Sequence, residues 1–247
     1  MRLGHEDFCK FVELASIPLR QLGPDMLPGR IASGCLVDYR GQRWVFTVAH
    51  AMENTGNWAI EVGYEPGRGT KLYKIGQLSF VARYDRTTGG SFETLDMAYT
   101  RVPSDLQPRW QPSNEQGQII HDQPRIILSA DLQAQPRGNE EYGFAGNVEP
   151  TIETHFGDVY VGTKAACYMD LQFVREENEF YLFKLPFDRP GDLYFRGTSG
   201  SPICDREGNV VALVCGPGDT PDTIRGIKIG YFRSALDVEP VGPANKC

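Results

Sequence analysis

The sequence predicts an all-β fold made of two similar β-barrels. Short runs rich in β-branched and aromatic residues recur along the chain, separated by Gly, Pro, Asn and Asp. These runs form two series of about six strands, and the Pro-containing residues 103–122 between the series are typical of a connector. Two barrels packed side by side leave a cleft between them, which is a usual place for an active site.

We expect a single domain, because 247 residues with 40% hydrophobic side chains can fill a sizeable core. Its predicted parts are an N-terminal helical strap, a first barrel, a connector, a second barrel and a tail, at residues 1–29, 30–102, 103–122, 123–236 and 237–247.

Short helices are predicted at both ends of the chain. Apolar residues between Phe8 and Ala15 recur at helical spacing and the pattern stops before Pro18, which predicts an amphipathic helix within residues 5–21. This helix could pack on the domain as a strap or mark a site for a partner, and the strap is the favoured interpretation. Residues 234–237 could begin a short C-terminal helix.

Between these helices the strands follow one another with turn residues between them. Those of the first barrel are predicted at residues 31–39, 44–48, 58–64, 71–75, 78–84 and 97–102. Those of the second barrel are predicted at residues 124–129, 142–146, 158–164, 168–174, 179–185, 210–215 and 226–232. Residues 85–94, 131–157 and 216–223 are expected to be loops that could control access to a site.

The charge of the chain argues against a nucleic-acid partner. The net charge is −7, the isoelectric point is near 5.2, and no run of Lys or Arg interrupts the acidic character. Acids and a lysine lie near the N-terminus, where a secretory signal needs an unbroken apolar core, and no later segment is long enough to span a membrane. We therefore expect a cytoplasmic protein without a membrane partner.

The cysteines give no metal-binding pattern. They are scattered along the chain, at Cys9, Cys35, Cys167, Cys204, Cys215 and Cys247. In the absence of an export signal we expect reduced thiols, although the even number could form three disulfides. Because there is no CxxC pair and no Cys/His cluster, we expect neither a metal nor another cofactor.

A tight turn at residues 196–202, with the sequence RGTSGSP, is the first candidate for chemistry. Gly197 and Gly200 flank Ser199, so the backbone can approach a bound group closely and direct its amide hydrogens towards it. This arrangement is typical of a nucleophile with an oxyanion hole. Taken alone, the same residues would also suit an ordinary turn.

His50 is the best candidate for a general base. It follows the apolar strand predicted at residues 44–48, and a histidine at the end of a strand can be held rigidly while its ring projects into a cleft. His5 lies near the terminus, and His121 and His155 lie in polar, loop-like stretches, so they are weaker candidates. In isolation, a purely structural role for His50 remains open.

Asp96 is the best candidate for a group that orients this histidine. It opens a largely apolar strand, and a buried carboxylate needs a strong partner, which an imidazole N–H would supply. Asp85 and Asp131 are alternatives, but each lies in a polar, loop-like stretch.

The order of the three residues along the chain is His, Asp, Ser, whereas subtilisins and α/β-hydrolases place the same groups in other orders. The stretches TVAHA at 47–51, DMA at 96–98 and GTSGSP at 197–202 resemble the histidine, aspartate and serine motifs of trypsin-like serine peptidases. The resemblance covers residues 30–236 and implies that the whole chain is a single trypsin-like peptidase domain.

The resemblance implies a chymotrypsin-like fold of two six-stranded antiparallel Greek-key barrels. It implies that Ser199 attacks a peptide carbonyl, that His50 accepts the serine proton and that Asp96 holds the histidine tautomer. The amides of Gly197 and Ser199 would form the oxyanion hole.

The same resemblance assigns a substrate pocket to residues about six before the serine and to the strand after it. In this chain those residues are Leu193, Tyr194, Cys215, Gly216 and Pro217. No acid stands at the first of these positions, so a buried substrate cation would lack a partner, and we expect an apolar or small P1 residue.

Two departures from secreted digestive peptidases narrow the resemblance. Thr198 stands where those enzymes have an aspartate that pairs with a newly cut N-terminus, so activation of that type is not expected. Ala51 stands where animal members have a cysteine, which leaves Cys35 without that partner. The chain is more similar to bacterial and intracellular members such as the catalytic domains of the HtrA group, here without room for a PDZ domain after residue 236.

These features predict a serine endopeptidase that acts on a protein or peptide through an acyl-enzyme intermediate. One alternative is a binding module that holds a peptide in the same cleft without cutting it. Another is a peptidase that stays idle until a regulatory protein orders its loops. The three groups alone do not exclude a non-peptide acyl substrate.

Overall fold

The computed structural model describes most of the chain. The described residues are 2–23, 28–52, 57–65, 68–85, 90–114, 118–129, 131–155, 158–191 and 194–238. Among them, neither helix is long and apolar enough to cross a membrane.

The N-terminal half contains helix α1 and seven strands, and a short 3-10 helix, His50–Met52, follows the third strand. Their bounds are α1 His5–Ala15, β1 Ile17–Leu22, β2 Pro28–Tyr39, β3 Gln42–Thr47, β4 Asn57–Glu65, β5 Gly69–Lys74, β6 Ser79–Asp85 and β7 Ser91–Val102.

The rest of the chain contains a two-stranded sheet within the middle segment, six longer strands and helix α2. Their bounds are β8 Arg109–Trp110, β9 Gln123–Pro124, β10 Glu141–His155, β11 Asp158–Glu177, β12 Phe180–Lys184, β13 Pro202–Asp205, β14 Val210–Pro217, β15 Thr223–Lys228 and α2 Gly230–Val238.

The seven strands of the first half form one antiparallel sheet in the order β5-β4-β1-β2-β3-β7-β6. All six predicted strands of this half are present, although their bounds differ from the prediction. Strand β7 begins at Ser91 and so corrects the loop predicted at 85–94. The additional strand, β1, corrects the helical strap predicted for residues 1–29. The helix ends at Ala15 because Pro18 disfavours helical backbone at Ile17, and the apolar side chains of Ile17 and Leu19 are fully buried in the sheet.

The six strands of the second half close into a barrel in the order β10-β11-β12-β15-β14-β13. The hairpin of β10 and β11 is much longer than predicted, because the strand predicted at 142–146 continues through residues 147–155, which the sequence predicted as part of a loop at 131–157. Pro150 lies at the register shift between Val148 and Thr151, where the ladder needs no amide donor from it.

Two further strand predictions are wrong in their bounds. Residues 124–129 do not form a barrel strand, because only Gln123–Pro124 pair with β8, and Leu128 instead exchanges backbone hydrogen bonds with β2. The strand predicted at 226–232 ends at Lys228, and α2 begins at Gly230. The ring of Phe232, fully buried, then stacks on Phe46 at a centroid distance of 4.0 Å.

One apolar cluster joins the two halves. It combines fully buried residues of the first sheet, such as Cys35 and Phe46, with buried residues of the barrel, such as Cys204 and Leu213. Separate clusters fill the interior of each half. The two sheets are therefore packed together over a shared core, which holds the loops at their junction in register.

Helix α1 lies against the barrel and is anchored at both its face and its end. The Sγ atom of Cys9 lies 2.8 Å from that of Cys167 in β11. The buried guanidinium of Arg125 donates to the backbone carbonyls of Glu13 and Ser16, where the helix ends. Burial lowers the pKa of Arg125 to about 10.

Candidate active site

His50 lies at the start of the 3-10 helix that follows β3, as predicted from the end of the apolar strand. Its backbone amide donates to Oδ1 of Asp96 at 2.8 Å, and its ring Nδ1 lies 2.7 Å from Oδ2 of the same carboxylate. The Asp96 carboxylate therefore accepts hydrogen bonds from both the backbone amide and the ring of His50. This arrangement fixes the ring plane and places the proton on Nδ1.

Asp96 lies within β7 and its side chain is 23% exposed. Burial raises the pKa of this carboxyl group, but hydrogen bonds from the His50 ring, the Cys215 thiol and the His50 amide outweigh burial, and the pKa is lowered overall. The group is therefore ionised at neutral pH and faces the Nδ1 side of the imidazole.

Cys215 is a direct neighbour of the Asp96 carboxylate, whereas the sequence placed it only in the substrate pocket. Its Sγ donates to Oδ2 of Asp96 at 2.6 Å, across 119 residues of sequence. Burial, followed by the nearby Asp96 charge, raises the pKa of this thiol, so it remains a protonated donor. Its place at the end of a predicted strand gave no signal that it would face the carboxylate.

Ser199 lies opposite, on the turn before β13, with its Oγ 3.2 Å from Nε2 of His50. The structure thus brings together His50, Asp96 and Ser199, from positions far apart in the chain. A half-buried hydroxyl at this distance from an oriented imidazole can pass its proton to that ring.

The turn before Ser199 has a defined backbone geometry. The amide of Thr198 donates to the carbonyl of Phe195 at 2.9 Å, and Gly197, the third residue of this turn, has a φ of 101°. A positive φ at this position distinguishes a type II from a type I turn and favours glycine. The two turn types differ by a flip of the central peptide, so this φ sets the direction of the Gly197 amide.

The predicted oxyanion hole depends on that direction. Within the described part of the chain, the backbone hydrogen bonds of this turn use the amides of Thr198, Gly200 and Ser201 but not those of Gly197 and Ser199. These two amides are therefore available as donors to a developing oxyanion.

Ser33 of β2, in the other half of the molecule, makes two hydrogen bonds to this turn that were not predicted from the sequence. Its Oγ donates to the carbonyl of Gly197 at 2.7 Å, and its amide donates to the carbonyl of Ser199 at 2.9 Å. Its own carbonyl accepts a hydrogen bond from Oγ1 of Thr47 at 2.7 Å. Such long-range contacts leave no local sequence signature.

Thr198 is fully buried, and its Oγ1 donates to the carbonyl of Phe195 at 2.8 Å. The side chain therefore closes the turn locally, within four residues. A methyl group on Gly146 would lie 3.0 Å from Cα and Cγ2 of Thr198, which shows how tightly β10 packs behind the turn.

The predicted pocket residues are only partly brought together. Leu193 lies outside the described residues. Tyr194 is 40% exposed and its ring contacts those of Tyr168, Phe187 and Phe195. Cys215, Gly216 and Pro217 form the end of β14, and the thiol of the first is directed at Asp96.

The alternative histidines and carboxylates have other surroundings. His5 lies 3.9 Å from Asp170, His121 stacks on Trp110, and Asp131 accepts the amide of Gln133. Asp85 ends β6 and His155 ends β10.

Among the described residues, one group of side chains could hold a metal ion. It consists of His50, Asp96 and Cys215, whose ligand atoms all lie within 4.8 Å of one another. The sequence shows no metal-binding pattern, because these three residues come together only in the folded chain.

Comparison by sequence gives no relative. No family model and no curated protein matches the chain.

Comparison by structure gives many matches among solved structures. A serine endoprotease of Yersinia pestis has a TM-score of 0.55 and 11% identity over 96% of this chain, which spans 66% of that structure's length. Human heparin binding protein has a TM-score of 0.54 and 15% identity over 99% of this chain and 98% of its own. The protease of tobacco vein mottling virus has a TM-score of 0.53 and 11% identity, with 97% and 88% covered.

At such low identities the comparison concerns the fold. The closed six-stranded barrel, the large antiparallel sheet and the two short helices agree with this likeness. The chain therefore has the chymotrypsin-like fold of the trypsin-like serine proteases.

Proposed function

We propose that this protein is a serine endopeptidase that cleaves proteins or peptides. The observation that carries the proposal is the continuous chain of contacts from Ser199 Oγ to His50 Nε2 at 3.2 Å and from His50 Nδ1 to Asp96 Oδ2 at 2.7 Å. This geometry supports proton transfer from the hydroxyl to the ring as the hydroxyl attacks a carbonyl carbon.

In the proposed acylation step, the Ser199 Oγ forms a bond to the peptide carbonyl carbon while its proton moves to Nε2 of His50. The amides of Gly197 and Ser199 donate to the oxyanion, and the ionised Asp96 stabilises the imidazolium. The imidazolium then gives its proton to the leaving amine as the C–N bond breaks. Water, deprotonated by His50, attacks the acyl-enzyme and releases the acid.

A labelling experiment tests this function. Purified protein should react with a fluorophosphonate probe at one serine, and Ser199→Ala should abolish labelling. Ser234→Ala is a matched control, because this serine is exposed on α2. A folded wild-type protein that hydrolyses no member of a peptide library and does not label would contradict the proposal.

A binding module on the same fold is the second candidate. The human structure that matches this chain is named for binding heparin, so a protein with this fold need not be named for hydrolysis. The type II turn at Gly197 favours an enzyme over a binding module. A type I turn would direct the Gly197 amide the other way, and the oxyanion hole would lack this donor. The library experiment, with cleavage sites located by mass spectrometry, separates the two candidates and tests the expected apolar or small P1 residue.

A further inference from the structure

Three side chains of the types that bind transition metals lie close together at the Nδ1 atom of His50. They come from the 3-10 helix after β3, from β7 and from β14, and supply Nδ1 of His50, Oδ2 of Asp96 and Sγ of Cys215. The nitrogen lies 2.7 Å and the sulfur 2.6 Å from the same carboxylate oxygen. One imidazole, one thiol and one carboxylate make a donor set that suits Zn²⁺.

The geometry needs only a small adjustment to accept such an ion. In a tetrahedral zinc site with bonds of 2.0–2.3 Å, neighbouring ligand atoms lie roughly 3.3–3.6 Å apart. Each of the two short separations to Asp96 Oδ2 must therefore widen by about 1 Å or less. Oδ1 of the carboxylate is held by the amide of His50, which would orient the ligand from behind.

None of the three residues is fully buried. The side chain of His50 is 42% exposed and that of Asp96 is 23% exposed. A water molecule can therefore complete the coordination as the fourth ligand. Cys35 and Cys204, by contrast, are fully buried in the shared core, where an ion could not reach them.

We propose that His50, Asp96 and Cys215 form an inhibitory zinc site within the active site. On binding, the Cys215 thiol loses its proton to solvent and Zn²⁺ takes the place of the two hydrogens that now point at Oδ2. The proton of neutral His50 moves from Nδ1 to Nε2, and no electron transfer is involved. The zinc–sulfur, zinc–nitrogen and zinc–oxygen bonds form while bound waters leave the ion.

Zinc binding would inhibit the proposed peptidase because it changes the tautomer of His50. An imidazole that is bound to zinc through Nδ1 carries its remaining proton on Nε2, so it cannot accept the proton of Ser199. The ion would lie on the Nδ1 side of the ring, whereas Ser199 lies on the Nε2 side, so the inhibition should lower kcat more than it raises KM. The inhibition rests on the proposed peptidase function, whereas metal binding does not.

Binding is tested in the Ser199→Ala background, so that the result is independent of activity. Titration with Co²⁺ as the probe should produce a thiolate-to-cobalt charge-transfer band in the near ultraviolet, and Zn²⁺ should displace it. The additional change Cys215→Ser should remove the band. Cys167→Ser is the matched control for another partly exposed thiol and should leave the band in place.

Affinity gives a second readout. Since the loss of an outer-shell partner already costs about 10- to 100-fold in metal affinity, the loss of the sulfur ligand should weaken Zn²⁺ binding by at least about 100-fold. Thermal melting of each variant checks that it is folded. The absence of a thiolate band, or an equal band and affinity in folded Cys215→Ser, would overturn the site.

Inhibition is tested separately on the wild-type protein. Zn²⁺ should slow fluorophosphonate labelling of Ser199, and a chelator should restore it. If the cobalt band forms but Zn²⁺ leaves the labelling rate unchanged, the inhibitory role is wrong. If the wild type never labels, the peptidase proposal fails, while the cobalt experiment still decides the metal site.

Discussion

The hydroxyl of Ser33 donates a 2.7 Å hydrogen bond to the carbonyl oxygen of Gly197. The two residues belong to different halves of the molecule and are 164 positions apart in the chain. Because Gly197 is buried and provides one of the proposed oxyanion donors, Ser33 of the first sheet fixes the position of part of the proposed catalytic site in the second half.

Ser33→Ala should therefore reduce activity as well as stability. A buried carbonyl left without its donor costs about 1–3 kcal/mol, and displacement of the turn should lower kcat by about 10- to 100-fold. Denaturant unfolding and the rate of fluorophosphonate labelling measure the two effects. Ser234→Ala, at an exposed position, should change neither, and an unaltered labelling rate in Ser33→Ala would contradict the positioning role.

Gly197→Ala should abolish most of the activity. The φ of 101° is strained for alanine, and the added methyl group would overlap the carbonyl oxygen of Asn147. Loss of one oxyanion donor lowers kcat by about 10²–10³-fold. Gly76→Ala is the control, because a methyl group there meets nothing within 4 Å. Hydrolysis of a library-derived peptide at equal protein concentration provides the measurement.

Cys215→Ala should lower kcat by about tenfold, which corresponds to the free energy of one hydrogen bond to a charged group. Without the thiol donor the carboxylate of Asp96 becomes more basic and stabilises the imidazolium of His50 more strongly. The acid limb of the pH profile of kcat/KM, which reports protonation of the proposed base His50, should therefore move to higher pH. Cys215→Ser keeps a donor and should recover part of both effects. A thiol that only fills space would leave the acid limb where it is.

Asp96 should also make the stability of the protein depend on pH. Its pKa in the folded state is lowered, so its ionised form stabilises the fold above the ordinary value of about 3.9. This contribution is lost as the pH falls through the folded-state pKa. Urea unfolding of wild type and Asp96→Asn should therefore give free energies that differ near pH 6 and converge below about pH 4. A constant difference would assign the effect to packing.

Cys9 and Cys167 should cross-link under oxidation, because their sulfur atoms are 2.8 Å apart. Oxidised glutathione would accept the two electrons and two protons and leave as two thiols. Burial, together with Cys9, raises the pKa of the Cys167 thiol, so the reaction should be faster at alkaline pH. Peptide mapping under non-reducing conditions detects the bond, and Cys9→Ser should not form it. The closed loop should raise stability by up to about 5 kcal/mol.

Much of the fold could be predicted from local pattern. The strands of the first sheet alternate apolar and polar residues between turn signals, and His50, Asp96 and Ser199 each stand in a recognisable short motif. Strand β1 could not be separated from the helix before it, because its apolar residues continue a pattern that either structure would satisfy.

The parts that could not be predicted depend on contacts between distant residues. Cys215 reaches Asp96 across 119 positions, and Ser33 reaches Gly197 across 164. Which side chain faces a partner across the junction is set by the packing of both halves. The proposed zinc site could not be predicted for the same reason, since its three residues share no spacing in the sequence.

The stacking of Phe232 on Phe46 bears on how the protein is made. The first sheet leaves the ribosome early, but the helix that carries Phe232 emerges after Ser199 and the whole barrel. A nascent chain that already contains Ser199 still lacks this contact of the junction between the two halves. We therefore expect the chain to acquire the proposed catalytic geometry only after α2 has emerged from the ribosome.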